Sequence, residues 1–470
     1  MRLLVEIGEG ADVQRKDRVR YQGKHMPLIL HAADLHIDSP LHHLDTAGDA
    51  PLHAMEDAVR RAVDRLIDLA VALPADLLLI AGDVFDGDWR DYHTGLWFAK
   101  RMARLGEAGV RAALVSGNHD AAGRMTRSLR LPGNMHVFDV KRPETVRYDD
   151  LGVAVHGRGF ARAAVTENLA AGFPPALDGY FNIGLLHTAL SGRPGHAPYA
   201  PCDINDLAAR GYQYWALGHV HRREIVHVDP LVVYPGNIQG RHVREDGPKG
   251  CCSLRISGPH PPDPATDLRF HPLDVFRWGR ASIDLSAAAD GAAAADLIRT
   301  ALPDRLSRLH ESGGAKGWHR QSPPEPENDI PAALRLYLTG ETLSHADLSG
   351  DPERWLAQIR ADAADLSGGR LWITDLRLDT RLPAAAGDAV SGPLAEVRQI
   401  MAAAALPGAT RDRLEARWRE FRSRLPAEAL MDAGLMPGTG DDHGGGDEFR
   451  SLLSRAEGLL RQRLRPEEEP

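Results

Sequence analysis

The sequence predicts an α/β protein: a sandwich of two sheets flanked by helices, then a smaller α/β unit, then a helical C-terminal region. Three observations carry that expectation. From Leu28 onward short apolar runs alternate with stretches of helical periodicity, the signature of a layered α/β domain. After the first two helices most connections between strand-like runs are too short to hold a helix, so the later sheet is expected to be partly antiparallel. Pro- and Gly-rich breaks at 257–267 (SGPHPPDPATD) and 313–329 (GGAKGWHRQSPPEPEND) then interrupt the pattern as linkers or loops do.

Taken in order, LILHAA (28–33) is strand-like. Between Leu52 and Leu73 the residues Val59, Ala62, Val63, Leu66, Leu69, Ala70 and Leu73 share one helical face. DLLLIAG (76–82) is a buried-strand run, a helix-like stretch occupies about 93–108, and VRAALVS (110–116) is the third strand. Further strand candidates are 135–140, 152–157, 181–187, 212–218, 224–228, 231–236 and 250–256. Beyond the first break come ASIDLS (281–286), a helix near 290–301, a strand at 334–340, a helix at about 351–366 and a strand at 370–379. The expected organisation is an extension at 1–26, a main domain at 27–257, a second α/β unit at 276–382 and a helical, partly disordered region at 393–470.

Composition excludes several classes. A chain of 470 residues, 43% of them hydrophobic, is long enough for two or three packed domains, and no run approaches the length of a membrane span. The first 25 residues alternate charge with glycine and lack the apolar centre of a secretory signal, leaving either a disordered extension or initiation at Met26. Three cysteines, Cys202, Cys251 and Cys252, make neither an even framework nor a CxxC pair, which fits a reducing compartment and makes the cytoplasm the expected location. The net charge of -9 argues against a surface that coats nucleic acid, although bound cations or a local basic face can offset it. Six of the 56 basic residues are lysines, a ratio that codon bias explains.

Chemistry is written at five strand ends: DLH (34–36), GDVFD (82–86), GNHD (117–120), LLHT (185–188) and GHVH (218–221). If these strands are neighbours, their C-terminal ends deliver the polar side chains to one rim, where open α/β sheets bind ligands. The set offers two carboxylates (Asp34, Asp83), one amide oxygen (Asn118) and four imidazoles (His36, His187, His219, His221), with no thiolate. Mixed oxygen and imidazole donors suit Mn, Fe or Zn, and seven exceed what one tetrahedral ion can use, so two ions sharing one carboxylate resolve the count. In Asp34-x-His36 and His219-x-His221, alternate positions of an extended strand reach a common side. A backbone turn at the strand end would instead send the two histidines of GHVH to different ions.

These five motifs, in this order, resemble the calcineurin-like metallophosphoesterase superfamily. The text between them, including GDWRDYHTGLWFAKRMARL, GHAPYAPCDINDLAARGYQYWALGHVHRRE and YPGNIQGRHVREDGPKGC, is similar to bacterial DNA repair exonucleases of the SbcD/YhaO type. The likeness runs from about Pro27 to Asp379 and is strongest up to Cys252. It implies a metallophosphoesterase β-sandwich with two metal ions, in the family typically manganese. Asp34, His36 and His221 would hold one, Asn118, His187 and His219 the other, with Asp83 bridging. It also implies that His119 contacts the phosphate as general acid with Asp86 orienting it. Asp120 is expected to be a structural loop acid.

The remaining polar residues near the motifs have plainer explanations. His31, His42, His43 and His53 are expected to pack or face solvent, and Asp38 is either close support for the site or a turn cap. Arg222, Arg223, Arg241 and Arg244 could contact phosphate or form salt bridges. His242 has no evident partner in the sequence.

The resemblance, not the motifs, implies DNA as substrate and a cap that shapes the groove. It also implies a separate SMC-like coiled-coil ATPase, since this chain has no GxxxxGK[ST] loop, and makes a homodimer plausible. Leu414, Trp418, Phe421 and Leu425 form an apolar stripe that would pack on the cap or dock that partner. The competing function is an esterase for small molecules, such as cyclic nucleotides, or for phosphoproteins. A decayed, non-enzymatic scaffold disagrees with an intact donor set.

Overall fold

The computed structural model describes residues 20–21, 24–39, 57–87, 92–122, 130–190, 199–258, 260–311, 319–320 and 330–383, with residues 413, 416, 417 and 420 in helical conformation. The expectations for His42, His43, His53 and the stripe Leu414, Trp418, Phe421 and Leu425 lie outside these residues, as do residues 1–19. At the start, β1 (Arg20–Tyr21) and β2 (Lys24–His25) pair antiparallel.

The first large sheet is built on four parallel strands, β3 (Leu28–Ala32), β4 (Leu77–Ile80), β5 (Arg111–Leu114) and β6 (Met135–Val137). Two amphipathic helices cover one face: α1 (Ala58–Ala72) crosses from β3 to β4 and α2 (Tyr92–Glu107) from β4 to β5. Of the face read from the sequence, Val59, Ala62, Val63, Leu66 and Ala70 are buried. Ala62, Val63, Leu66 and Ala70 pack with Leu30, Leu78, Ile80 and Leu114 of the strands. Each valine or leucine side chain among them removed from water is worth about 1.5–3 kcal/mol.

The second sheet contains β7 (Glu144–Tyr148), β8 (Val153–Arg158), β9 (Phe181–His187), β10 (Tyr214–Gly218), β11 (Glu224–Val228) and β12 (Leu231–Tyr234), in spatial order β11-β12-β10-β9-β8-β7. Strands β8, β9, β10 and β12 run parallel, while β7 and β11 are antiparallel edges. A short helix, α4 (Ile204–Ala208), enters β10 behind a capping box in which the Asp203 and Asp206 side chains exchange backbone bonds. The main core lies between the sheets, with Ile29, Leu77, Leu79 and Val115 from one packed with Val153, Val155, Ile183, Leu185 and Val233 from the other. The chain returns to the first sheet through β13 (Gly250–Arg255), antiparallel to β3, and β14 (Leu268–Pro272). His319 and Arg320, inside the stretch read as loop, pair with β14 as β16.

The third sheet is entirely parallel, β15 (Arg277–Asp284), β17 (Ala332–Glu341) and β18 (Leu371–Arg381), in the order β15-β17-β18. Helices α5 (Gly291–Glu311), α6 (His345–Gly350) and α7 (Pro352–Ser367) belong to the same unit. Leu334, Leu336, Leu338 and Ile373 of the sheet bury against Ile298, Leu302, Trp355 and Ile359. The helix expected to stop near residue 301 instead runs through Pro303 to Glu311. Proline removes one helical hydrogen bond, and the burial of Leu302 and Leu309 on the sheet keeps the helix going past it.

Candidate metal centre

The strand ends that carry the motifs come together where the two large sheets meet. Asp34 and His36 follow β3, Asp83 and Asp86 follow β4, and Asn118 and His119 open the short helix α3 (Asn118–Ala122) just after β5. From the facing sheet, His187 ends β9, and His219 and His221 follow the adjacent β10. β3, β4 and β5 are neighbours in one sheet and β9 and β10 in the other, so the rim is built by the topology itself.

Local backbone is bent to aim these groups. Asp34, His36, Asp83 and His219 all have left-handed φ, at 51°, 46°, 51° and 100°, a conformation that costs a non-glycine residue about 1–2 kcal/mol. Tertiary bonds hold it, with Asp34 N–H donating to the Gly82 carbonyl at 3.0 Å and His36 N–H to that of Asp83 at 2.9 Å. Strain that the surroundings over-determine is typical of sites where side chains must converge. Two glycines permit the close approach. Gly82 (φ 91°) leaves no room for a Cβ, which would stand 2.5 Å from His187 Nδ1, and a Cβ on Gly218 would collide with the Ala81 carbonyl.

The donor atoms fall into two adjoining groups. Ligating atoms of Asp34, His36 and His221 lie within 4.8 Å of one another, and so do those of Asp34, Asp83 and His187. His36 Nε2 and His221 Nε2 face each other at 3.2 Å. His187 Nε2 stands 3.0 Å from Asn118 Oδ1 and 3.4 Å from Asp83 Oδ2. The His219 ring sits beside that of His187, centroids 5.1 Å apart, and its backbone N–H donates to both oxygens of Asp34 at 3.1 Å. The two histidines of GHVH thus stand next to different partners, because the backbone turns at His219.

Protonation states follow from burial. Loss of hydration pushes His187 down to about 3 and His221 down to about 4, and lowers His36 as well, with the Arg241 cation adding to it. These imidazoles are therefore neutral, the form that ligates metal. Burial first, and the neighbouring Asp83 charge second, raise Asp34, while burial lifts Asp83 to about 6. With its Nδ1–H given to the Ala81 carbonyl at 2.9 Å, His187 presents a lone pair at Nε2 to two more acceptor oxygens, those of Asn118 and Asp83. Acceptors converging without a hydrogen between them are what a divalent cation satisfies, and this oxygen and imidazole set suits a borderline-to-hard ion.

His119 and Asp86 stand beside this group. His119 Nδ1 is 2.6 Å from Asp86 Oδ1, and its backbone N–H donates to Asp83 Oδ1 at 2.9 Å. The hydrogen bond that His119 donates to Asp86 raises His119 against a smaller opposing effect of burial, and the same bond holds Asp86 far below the usual carboxylate range. The His119 side chain is 42% exposed, whereas those of His36 and His187 are almost wholly enclosed. A ligating atom of His119 also lies within 4.8 Å of those of His36 and Asp83. Asp120 is buried, and its carboxylate accepts from Gly117 N–H at 3.0 Å and Phe85 N–H at 2.9 Å, pinning two motif loops together.

Neighbours weighed from the sequence sort themselves. His31 packs in the interior with Nδ1 2.8 Å from the Tyr214 hydroxyl. Asp38 points to the helices, taking two 2.6 Å bonds from Arg60. Arg223 stacks on Phe270 at 3.7 Å. Arg241 lies close to the donor group, and His242 Nε2 is 3.7 Å from Glu245. Sequence reasoning overlooked Glu245 and Ser39: Glu245 Oε1 is 2.6 Å from His221 Nδ1, and Ser39 Oγ donates to Asp86 Oδ2 at 2.7 Å. Glu245 lies 24 residues past its histidine, on a loop with no motif of its own, so only the fold brings it there.

Comparison with known proteins agrees with this geometry. Residues 27–223 match the calcineurin-like phosphoesterases, and residues 278–381 match the middle domain of metallophosphoesterase YhaO. The chain is 33% identical over 288 residues to "Uncharacterized metallophosphoesterase YhaO" of Bacillus subtilis (strain 168), covering 60% of this chain and 68% of that one. It is 28% identical over 235 residues to "DNA double-strand break repair protein Mre11" of Methanopyrus kandleri, with 44% and 48% covered. To the protein of the same name in Sulfurisphaera tokodaii it is 25% identical over 209 residues, with 43% and 50% covered, so it spans about half of each repair protein. Two facing sheets with an Asp, Asn and His rim define a phosphoester hydrolase, and the chain belongs to the calcineurin-like metallophosphoesterase family. Within that family it falls in the YhaO-like branch. Among the described residues no helix is long and apolar enough to cross a membrane.

Proposed function

We propose that this protein is a two-metal phosphodiesterase whose substrate is DNA, acting as the nuclease subunit of a repair complex with a separate SMC-like ATPase. The observation that carries the phosphodiesterase assignment is the buried convergence of His187 Nε2, Asn118 Oδ1 and Asp83 Oδ2 next to His36 and His221, with a more exposed His119 beside it. Asp34, His36 and His221 would hold one ion, Asn118, His187 and His219 a second, with Asp83 shared. When bound, the ions, manganese by family resemblance, supply Lewis acidity toward phosphate oxygens and lower the pKa of water.

The chain's own residues supply the rest. His119, whose pKa the hydrogen bond with Asp86 raises, would donate from Nε2 to the leaving oxygen as a general acid. Asp86 holds the opposite ring nitrogen, which fixes tautomer and ring orientation. Asp83 Oδ1 accepts the His119 backbone N–H, so the loop that carries the acid is positioned by a member of the donor set. The side chains of Asp34, His36, Asp83 and His187 are almost wholly enclosed, whereas those of His221 and His119 reach solvent.

DNA is supported by the names of the two Mre11 relatives and by a second α/β unit that would cap the nuclease domain. The test is metal-dependent release of nucleotides from linear duplex and single-stranded DNA, with and without a purified SMC-like ATPase, alongside a generic phosphodiester and a phosphomonoester. Nucleotide release from DNA is the expected result. Hydrolysis of the generic esters with none of DNA, partner present, overturns the nuclease assignment and favours a small-molecule or phosphoprotein esterase.

A further inference from the structure

Between β12 and β13 the loop of residues 236–249 carries Arg241 and Glu245, two charged side chains outside the five strand-end motifs. Glu245 is 6% exposed and its carboxylate is fully engaged. Oε1 accepts from His221 Nδ1 at 2.6 Å and from Arg241 Nη2 at 3.1 Å, and Oε2 accepts from Asn237 Nδ2 at 2.8 Å and from the Arg241 backbone N–H at 2.7 Å. Arg241 reaches the other way with Nη1, 3.3 Å from Ser39 Oγ and 3.9 Å from Asp86 Oδ2. Ser39 in turn donates to Asp86, and Asp86 holds His119. One continuous path of contacts therefore joins His221 to His119 through Glu245, Arg241, Ser39 and Asp86.

The loop itself is anchored at its far side. Gln239, buried, accepts from Val275 N–H at 2.9 Å and donates to the Phe276 carbonyl at 2.6 Å, and Trp278 Nε1 donates to the Gly240 carbonyl at 2.9 Å. The Lys249 ammonium donates to the His221 carbonyl at 2.9 Å. A buried carboxylate that did nothing but neutralise Arg241 would not need its shortest bond on an imidazole. That bond places a proton on His221 Nδ1 and so leaves Nε2, the nitrogen facing His36, as an acceptor.

We infer that Glu245 and Arg241 are a positioning pair: Glu245 orients His221 for its ion, and Arg241 ties Glu245 to the Ser39 and Asp86 contacts that hold His119. The inference rests on the two-metal reading above and names residues of this chain on which that centre depends. Gln at position 245 keeps the shape and one acceptor but removes the charge and faces Arg241 with donors. Lys at position 241 keeps the charge but loses the planar fork that spans both carboxylates.

The test is calorimetric titration of Mn2+ into the full metal-stripped chain, comparing wild type, Glu245→Gln, Arg241→Met and Arg241→Lys, with the melting profile in chelator as the control for folding. Glu245→Gln is expected to weaken one of two binding events by about 10–100-fold and leave the other within about threefold. At saturating metal, Arg241→Met is expected to lower kcat about tenfold with little change in KM, and Arg241→Lys to recover part of that loss. Folded Glu245→Gln that binds both ions as wild type does, or Arg241→Met with unchanged kcat, overturns the pair. Wild type that binds no second ion overturns the two-metal reading on which the pair rests.

Discussion

His119 Nδ1 stands 2.6 Å from Asp86 Oδ1, although the two residues arrive from the ends of different strands, β5 and β4. The contact is short, charge-assisted and only partly screened, and it orients His119 and raises its pKa. Asp86→Asn keeps the side-chain volume and removes the charge. Turnover of a generic phosphodiester at saturating metal is expected to fall about 10–100-fold, with metal content unchanged. A rate equal to wild type would show that His119 acts without Asp86.

Asp83 touches both halves of the donor group, with Oδ2 at 3.4 Å from His187 Nε2 and 3.9 Å from His36 Nε2. Asp83→Asn should therefore reduce occupancy at both ions together, read as metal bound per chain after equilibrium dialysis. Loss confined to one ion would mean that the carboxylate does not bridge.

Arg277 and Asp274 form a fully buried pair, Nε to Oδ2 2.7 Å and Nη2 to Oδ1 3.0 Å, where the chain passes into β15. Arg277 Nη1 also reaches the carbonyls of Leu309 and His310 at the end of α5, and Arg65 bonds the Asp274 carbonyl at 2.7 Å. Removing one partner leaves an uncompensated buried charge, so Asp274→Ala should destabilise the full chain by about 3–5 kcal/mol in urea unfolding. Replacing both residues with apolar side chains should recover most of that. A loss in Asp274→Ala no larger than that of a surface substitution, within about 0.5 kcal/mol, would contradict it.

His31, enclosed between the sheets and bonded to Tyr214, is pushed by burial from 6.5 down to about 3. Its folded pKa lies below its unfolded one, so its contribution is complete above pH 6.5 and is lost as pH falls toward 3. Each unit in that window costs up to about 1.4 kcal/mol, because the unfolded state binds the proton and the folded state does not. The stability gap between wild type and His31→Leu should therefore narrow by about 2 kcal/mol between pH near 7 and pH near 5, measured by urea unfolding. A gap independent of pH would show that His31 titrates normally in the fold.

The candidate centre was readable because its proposed donors sit in short motifs at strand ends, where residue type alone suggests chemistry. DLH, GDVFD and GNHD follow three apolar runs that prove to be adjacent parallel strands. What separated His219 from His221 was a backbone turn with φ of 100°, which alternation along a strand does not foretell. Glu245 stayed hidden because its meaning comes from a contact 24 residues away. Among the strands that escaped notice, two did so for simpler reasons. ETVRY (144–148) is an edge strand exposed enough to carry charge, and LRFHP (268–272) follows a Pro-rich loop. The parallel order β15-β17-β18 depends on which crossovers the helices make, and apolar runs carry no direction.

The central claim is that His119 serves the phosphate and is not a ligand, even though a ring nitrogen lies within 4.8 Å of ligating atoms of His36 and Asp83. The decisive measurement pairs metal stoichiometry with turnover in His119→Ala. Two ions retained with wild-type affinity, and hydrolysis lowered about 10²–10⁴-fold as expected for loss of a general acid, is the predicted result. Loss of an ion on substitution, or hydrolysis that proceeds unchanged, would contradict it.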